Sequence, residues 1–192
     1  MTTGEDRRPP VRQTITAING FAYGVIGADI HVFDRDRPVY LLANWSPDEA
    51  ADPGPTAAGW RAELRQWRDG TPRLAARWLH GADRSRNRQL ADQFAAESVA
   101  AGWQVITAIY PAQLEPRRQD LRVDGATGVL VLVADADAWE PGNLMWLLKN
   151  QLLHRDDVAA RVLMTGCTAD SWPAVRAMLD TYEASTSSLR LP

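Results

Sequence analysis

The chain has 192 residues, 45% of them hydrophobic and 23% charged, with a formal charge of −3. That length and balance suit one globular domain with a substantial core, or one domain with a small appendage, and argue against a general electrostatic grip on nucleic acid. Its single cysteine, Cys167, rules out an internal disulfide and a cysteine-based metal cluster, and no apolar run approaches the roughly 18 residues of a membrane span.

In chain order, residues 1–13 are polar, charged and proline-bearing, and are expected to form a flexible arm without the apolar core of a signal peptide. Residues 14–45, "TITAINGFAYGVIGADIHVF" and "RPVYLLANW" around the turn "DRDR", are rich in β-branched and aromatic residues and predict a β-hairpin or small sheet. Residues 46–70 hold a linker, "SPDEAADPGP", and an amphipathic helix with Trp60, Leu64 and Trp67 at helical spacing, stopped by Gly70.

From residue 71 to 192 strands alternate with helices. "RLAARWLHG", "WQVITAIY", "GVLVLVADA" and "RVLMTG" read as strands, the third as one covered on both faces. "NRQLADQFAAESVAAG", "NLMWLLKNQLLH" and "SWPAVRAMLDTYEAS" read as helices. The alternation predicts an α/β fold, a parallel sheet flanked by helices with right-handed crossovers. Ligands in such sheets sit beyond the carboxyl ends of the strands, here Gly81, Ala134 to Asp137, and Thr165 to Cys167.

"RWLHGADRSRNRQLADQFAAESVAAGW", residues 77–103, is framed like a phosphate-binding loop: an apolar strand, a glycine, a polar stretch and a helix. Together with "GFAYGVIGADIHVF…PVYLL", "GVLVLVADADAWE", "LMWLLKNQLLH", "RVLMTGCTADSWPAV" and the ending "TSSLRLP", it resembles the STAND-type P-loop NTPases of actinomycetes. The resemblance covers most of residues 14–192 and is weakest over 46–60. It implies a P-loop NTPase-like fold and a chain that stops where longer members of the family continue.

The same resemblance implies lost catalysis. In the pattern G-x-x-x-x-G-K-[ST], counted from Gly81, the second glycine falls on Arg86, the phosphate-binding lysine on Asn87 and the magnesium-binding hydroxyl on Arg88. Ser85 carries a hydroxyl three places too early for the metal. The carboxylate position after the apolar strand is Ala134, with Asp135 one residue late, and a one-residue shift turns a strand side chain to the other face. Asp137 matches a second carboxylate of the family, although an aspartate there more often caps the segment that follows. The arginine that stabilises the transferring phosphoryl group is replaced by Cys167. Three strand ends have each lost a charged element.

The expected function is therefore a catalytically inactive P-loop NTPase-like protein serving as an interaction or regulatory module, paired with itself or with another protein. One alternative is a repurposed fold that binds or transforms a small molecule in the former nucleotide pocket. Another is residual nucleotide binding without hydrolysis, with Arg84, Arg86 and Arg88 near a helix N-terminus holding a phosphate-bearing anion. The pocket residues would be Gly81, Arg84, Ser85, Arg86, Asn87, Arg88, Asp135, Asp137 and Cys167, with His80 beside them. No residue is assigned a catalytic role, and neither metal nor cofactor is expected, since His31, His80 and His154 lack metal-ligand spacing. Trp78, Trp103, Trp139, Trp146 and Trp172 are expected in the core, where the family also has tryptophan. Trp45, Trp60 and Trp67 are the candidates for a contact surface. A cytoplasmic location without membrane contact completes the expectation.

Overall fold

The computed structural model describes residues 21–26, 29–34, 37–38, 40–47, 57–110, 121, 123 and 125–191. The expected N-terminal arm, residues 14–20 and most of the 46–56 linker lie outside them.

The N-terminal β element is two things. β1 (Phe21–Ile26), β2 (Asp29–Asp34) and β3 (Arg37–Pro38) form a small antiparallel sheet, with Phe21 opposite Asp34 and Ile26 opposite Asp29. β4 (Leu41–Asn44) leaves it and joins the main sheet. The stretch "RPVYLLANW" is thus divided, not one strand. Tyr40, Leu41 and Leu42 are buried, and their apolar area outweighs continued pairing within the small sheet.

The main sheet has six strands in the order β4-β6-β7-β8-β5-β9. β5 (Leu74–His80), β6 (Gln104–Ile109), β7 (Gly128–Val133), β8 (Ala159–Gly166) and β9 (Ser185–Arg190) run parallel, and β4 is antiparallel to β6. The expected α/β architecture is present. β7 is buried at every position, as its unbroken apolar run requires of a strand covered on both faces.

Four α-helices flank the sheet: α1 (Ala57–Arg68), α2 (Arg84–Ala100), α3 (Pro141–Leu148) and α4 (Trp172–Asp180). The connection from β5 through α2 to β6 runs one way across the sheet, and every later connection runs back. Right-handed crossovers then put α2 on one face and the later helices on the other. The core divides accordingly. Leu79, Leu130, Leu132 and Leu163 pack with Leu64 of α1 and with Leu90 and Phe94 of α2. Trp78, Val131, Val162 and Met164 pack with Leu144 and Leu147 of α3 and with Val175 and Leu179 of α4.

Several boundaries differ from the sequence reading, and the strand read over residues 128–136 ends at Val133. α2 begins at Arg84 instead of Asn87, because Asp83 caps it by accepting the Arg86 N–H at 3.0 Å. The segment 143–154 breaks after α3 and resumes as a 3-10 turn over Gln151–His154, where the Asn150 side chain accepts the Leu152 N–H. α4 stops at Asp180 and the chain returns as β9, a strand whose polar sequence "STSSLR" concealed it.

Candidate functional site

The loop leaving β5 leads to α2 on one face, and the loop leaving the neighbouring β8 leads to α4 on the other. Their carboxyl ends form the point where the chain direction reverses, the usual ligand crevice of an open α/β sheet. Gly81, Asn87, Asp137, Gly166 and Cys167 converge there.

The crevice is filled by the chain itself. Only Gly81, Ala82 and Asp83 separate β5 from α2, so Arg84, Ser85, Arg86, Asn87 and Arg88 are helical and cannot form a curled phosphate loop. The Asp83 carboxylate occupies the helix N-terminus, where a phosphate would otherwise meet free amides. Asn87 is 2% exposed. Its Nδ2 donates to the Gly81 carbonyl at 2.8 Å and to the Gly166 carbonyl at 2.9 Å, tying the two strand ends together. The Gly81 N–H adds a third bond, to the Gly166 carbonyl at 3.3 Å.

Asp137 closes the other side. Its Oδ2 accepts the Cys167 N–H at 2.8 Å and the Thr168 N–H at 3.3 Å. The sequence suggested a cap for the following segment; instead this carboxylate caps the turn after β8, because the 3-10 turn Ala136–Ala138 swings it across. Gly166 permits the approach: a Cβ there would come within 3.0 Å of the Asp137 Cγ. Asp135 follows β7 without a bulge, in the left-handed region at φ 50°. Its carboxylate pairs with Arg84 at 3.4 Å, both groups substantially exposed. Contact with the Cys167 side chain, and then the Asp135 charge, hold the Arg84 guanidinium above its usual pKa. Arg86 is also engaged. Of the three arginines, Arg88 alone has no side-chain hydrogen bond or ion pair among the described residues.

Open space lies beside this crevice, on the α2 face. A cleft of about 460 Å³ runs over the carboxyl ends of β6, β7 and β8, bounded by Arg88 and Asp92 of α2 and by Trp45 after β4. A smaller one of about 280 Å³ adjoins it and reaches Tyr110, Asp135 and Trp139. Of the sequence-derived pocket residues, Arg88 lines both and Asp135 the smaller. The sequence reading placed Thr165 at a strand end without assigning it to the pocket, and missed Thr107, a threonine within the run "VITAI" near the carboxyl end of β6.

Trp45, Trp60 and Trp67 are all partly buried and pack against the α1–α2 side of the core. The Trp45 indole N–H donates to Asp92 at 3.1 Å, and Trp67 lies under the Arg77 guanidinium, 5.5 Å from ring centroid to Cζ. Trp78, Trp103, Trp139 and Trp172 are buried and Trp146 packs at the core margin. His154 stacks on Tyr182 and bonds the Leu148 carbonyl; His80 is half-buried at the end of β5, and the side chain of His31 lies outside the described residues. Among the described residues no cluster of His, Cys, Asp and Glu could hold a metal ion, and no helix is long and apolar enough to cross a membrane.

No protein-family model matches the chain, and no curated protein matches it.

Proposed function

We propose that the chain is a P-loop NTPase-like module that does not hydrolyse nucleotide and acts by interaction or regulation, with itself or another protein as partner. One observation carries this reading: the backbone N–H groups of Arg86, Cys167 and Thr168 that could meet a phosphate are already held by the chain's own Asp83 and Asp137, while Asn87 ties the two strand ends closed. Phosphoryl transfer depends on positioning and charge stabilisation. A polyphosphate entering here would meet two carboxylates at the amides it needs, and magnesium would meet the cation Arg88.

Phosphate release and calorimetric titration with ATP, each with and without magnesium, test the reading. No turnover above a blank and no magnesium-dependent binding are expected. Tight magnesium-dependent binding with turnover would overturn it.

A further inference from the structure

The cleft between α2 and the ends of β6, β7 and β8 has the volume of a small-molecule site, which typically spans about 300–1,000 Å³. Its lining mixes apolar side chains with polar ones, among them Asn44, Ser46, Arg88, Asp92, Thr107 and Thr165. Ala91, Ile109, Leu132 and Leu163 supply apolar surface, and the Trp45 ring is fixed at the rim by its bond to Asp92. That bond engages the Asp92 carboxylate without cancelling its charge, and Arg88 is the cation of the lining, its side chain without a partner among the described residues.

Thr165 is a second, independent sign. It is 4% exposed, and alternation along β8 puts it with Leu163 on the α2 face, where it lines the cleft. Its hydroxyl has no hydrogen-bond partner among the described residues. A buried hydroxyl without a partner is costly; one facing a cleft is a donor available to whatever enters. Thr107, from β6, presents another hydroxyl to the same space.

We propose that this cleft binds a small organic oxyanion, its carboxylate or phosphate on Arg88 and the threonine hydroxyls, its apolar body against Leu132, Leu163 and Ile109. Arginine matches either head group through paired N–H donors, and the adjoining smaller cleft gives the body room to extend towards Tyr110 and Trp139. The inference rests on the cleft alone and is independent of the nucleotide reading.

The test uses the full chain, labelled for amide NMR and titrated with benzoate, phenyl phosphate, inorganic phosphate and benzylammonium. Benzoate, phenyl phosphate or both should give saturable shifts at Thr107, Ala134 and Thr165; which one does so identifies the head group. Arg88→Gln should weaken that binding about tenfold or more, and Thr165→Val should weaken it less. Arg88 is exposed, so its variant should unfold at the wild-type denaturant midpoint. The proposal fails if neither aromatic anion saturates in the millimolar range, if Arg88→Gln binds them equally well, or if inorganic phosphate or benzylammonium binds as tightly. Shifts confined to Gly81, Asp83 and Cys167 would also overturn it, by moving the anion to the crevice between β5 and β8.

Discussion

Asn87 stands where the resemblance expects a lysine, and its short amide does what a lysine's reach would prevent. A long flexible cation would extend out of the crevice toward phosphate, whereas the amide turns inward and satisfies two carbonyls in the protein interior. Asn87→Leu keeps the approximate volume and removes both bonds. It leaves the Gly81 carbonyl without this donor, while Gly166 keeps the Gly81 N–H. Each such loss at a buried polar group costs about 1–3 kcal/mol, so urea unfolding should show destabilisation of at least about 1 kcal/mol. Wild-type stability would show that the amide does not tie the strand ends. The identities at 86–88 and 134 were legible in the sequence. The filling was not, because it depends on Asp83 starting the helix early and on Asp137 reaching 30 residues along the chain.

At the scale of elements, the opposite end of the sheet is organised by Arg161, at the start of β8 and 1% exposed. Its guanidinium donates to the carbonyls of Arg68, Gly70, Pro72, Arg73 and Ala160 at 2.6–3.3 Å. Its Cζ sits 5.5 Å from the Trp103 ring. Burial pushes its pKa down, against the opposing charge of Asp69. The fan of bonds satisfies carbonyls at and beyond the end of α1. Beside it Arg68 bonds the Glu97 carbonyl and the Ser98 hydroxyl, joining α1 to the end of α2. Arg161→Met should cost at least about 2 kcal/mol, since several acceptors are stranded together. Arg161→Lys should rescue little, because one ammonium cannot reproduce a planar five-donor fork. Denaturant midpoints of both variants check this; full rescue by lysine would reduce the role to simple charge. The periodic elements were readable from apolar spacing, as with Leu90 and Phe94 in α2. An arginine at the head of the run "RVLMTG" was visible, but four of its five acceptors come from the end of α1 and the loop after it, far earlier in the chain.

For the whole molecule, the direction of each crossover follows from strand order, and with it the assignment of helices to faces. Strand and helix alternation gave the α/β class, while the position of β9 escaped because its serines and threonines carry no apolar alternation. Yet β9 completes the sheet beside β5, pairing Ala75 with Ser185 through His80 with Arg190. It also brings the Leu191 N–H to the His80 carbonyl at 2.7 Å, and the Ser187 hydroxyl to the Arg77 Nε at 2.9 Å. Leu191 backs directly on Gly81, where an added Cβ would lie 3.0 Å from its own. The last strand therefore supports the entrance to α2 from behind. Removing residues 184–192 should expose a long, largely apolar β5 as a sheet edge, a template for pairing with other chains. The truncated protein should unfold at lower urea, lose amide-exchange protection along residues 75–81 before β7, and associate with rising concentration. A truncated chain that stays monomeric with an unchanged midpoint would show that β5 is held by β8 and α2 alone.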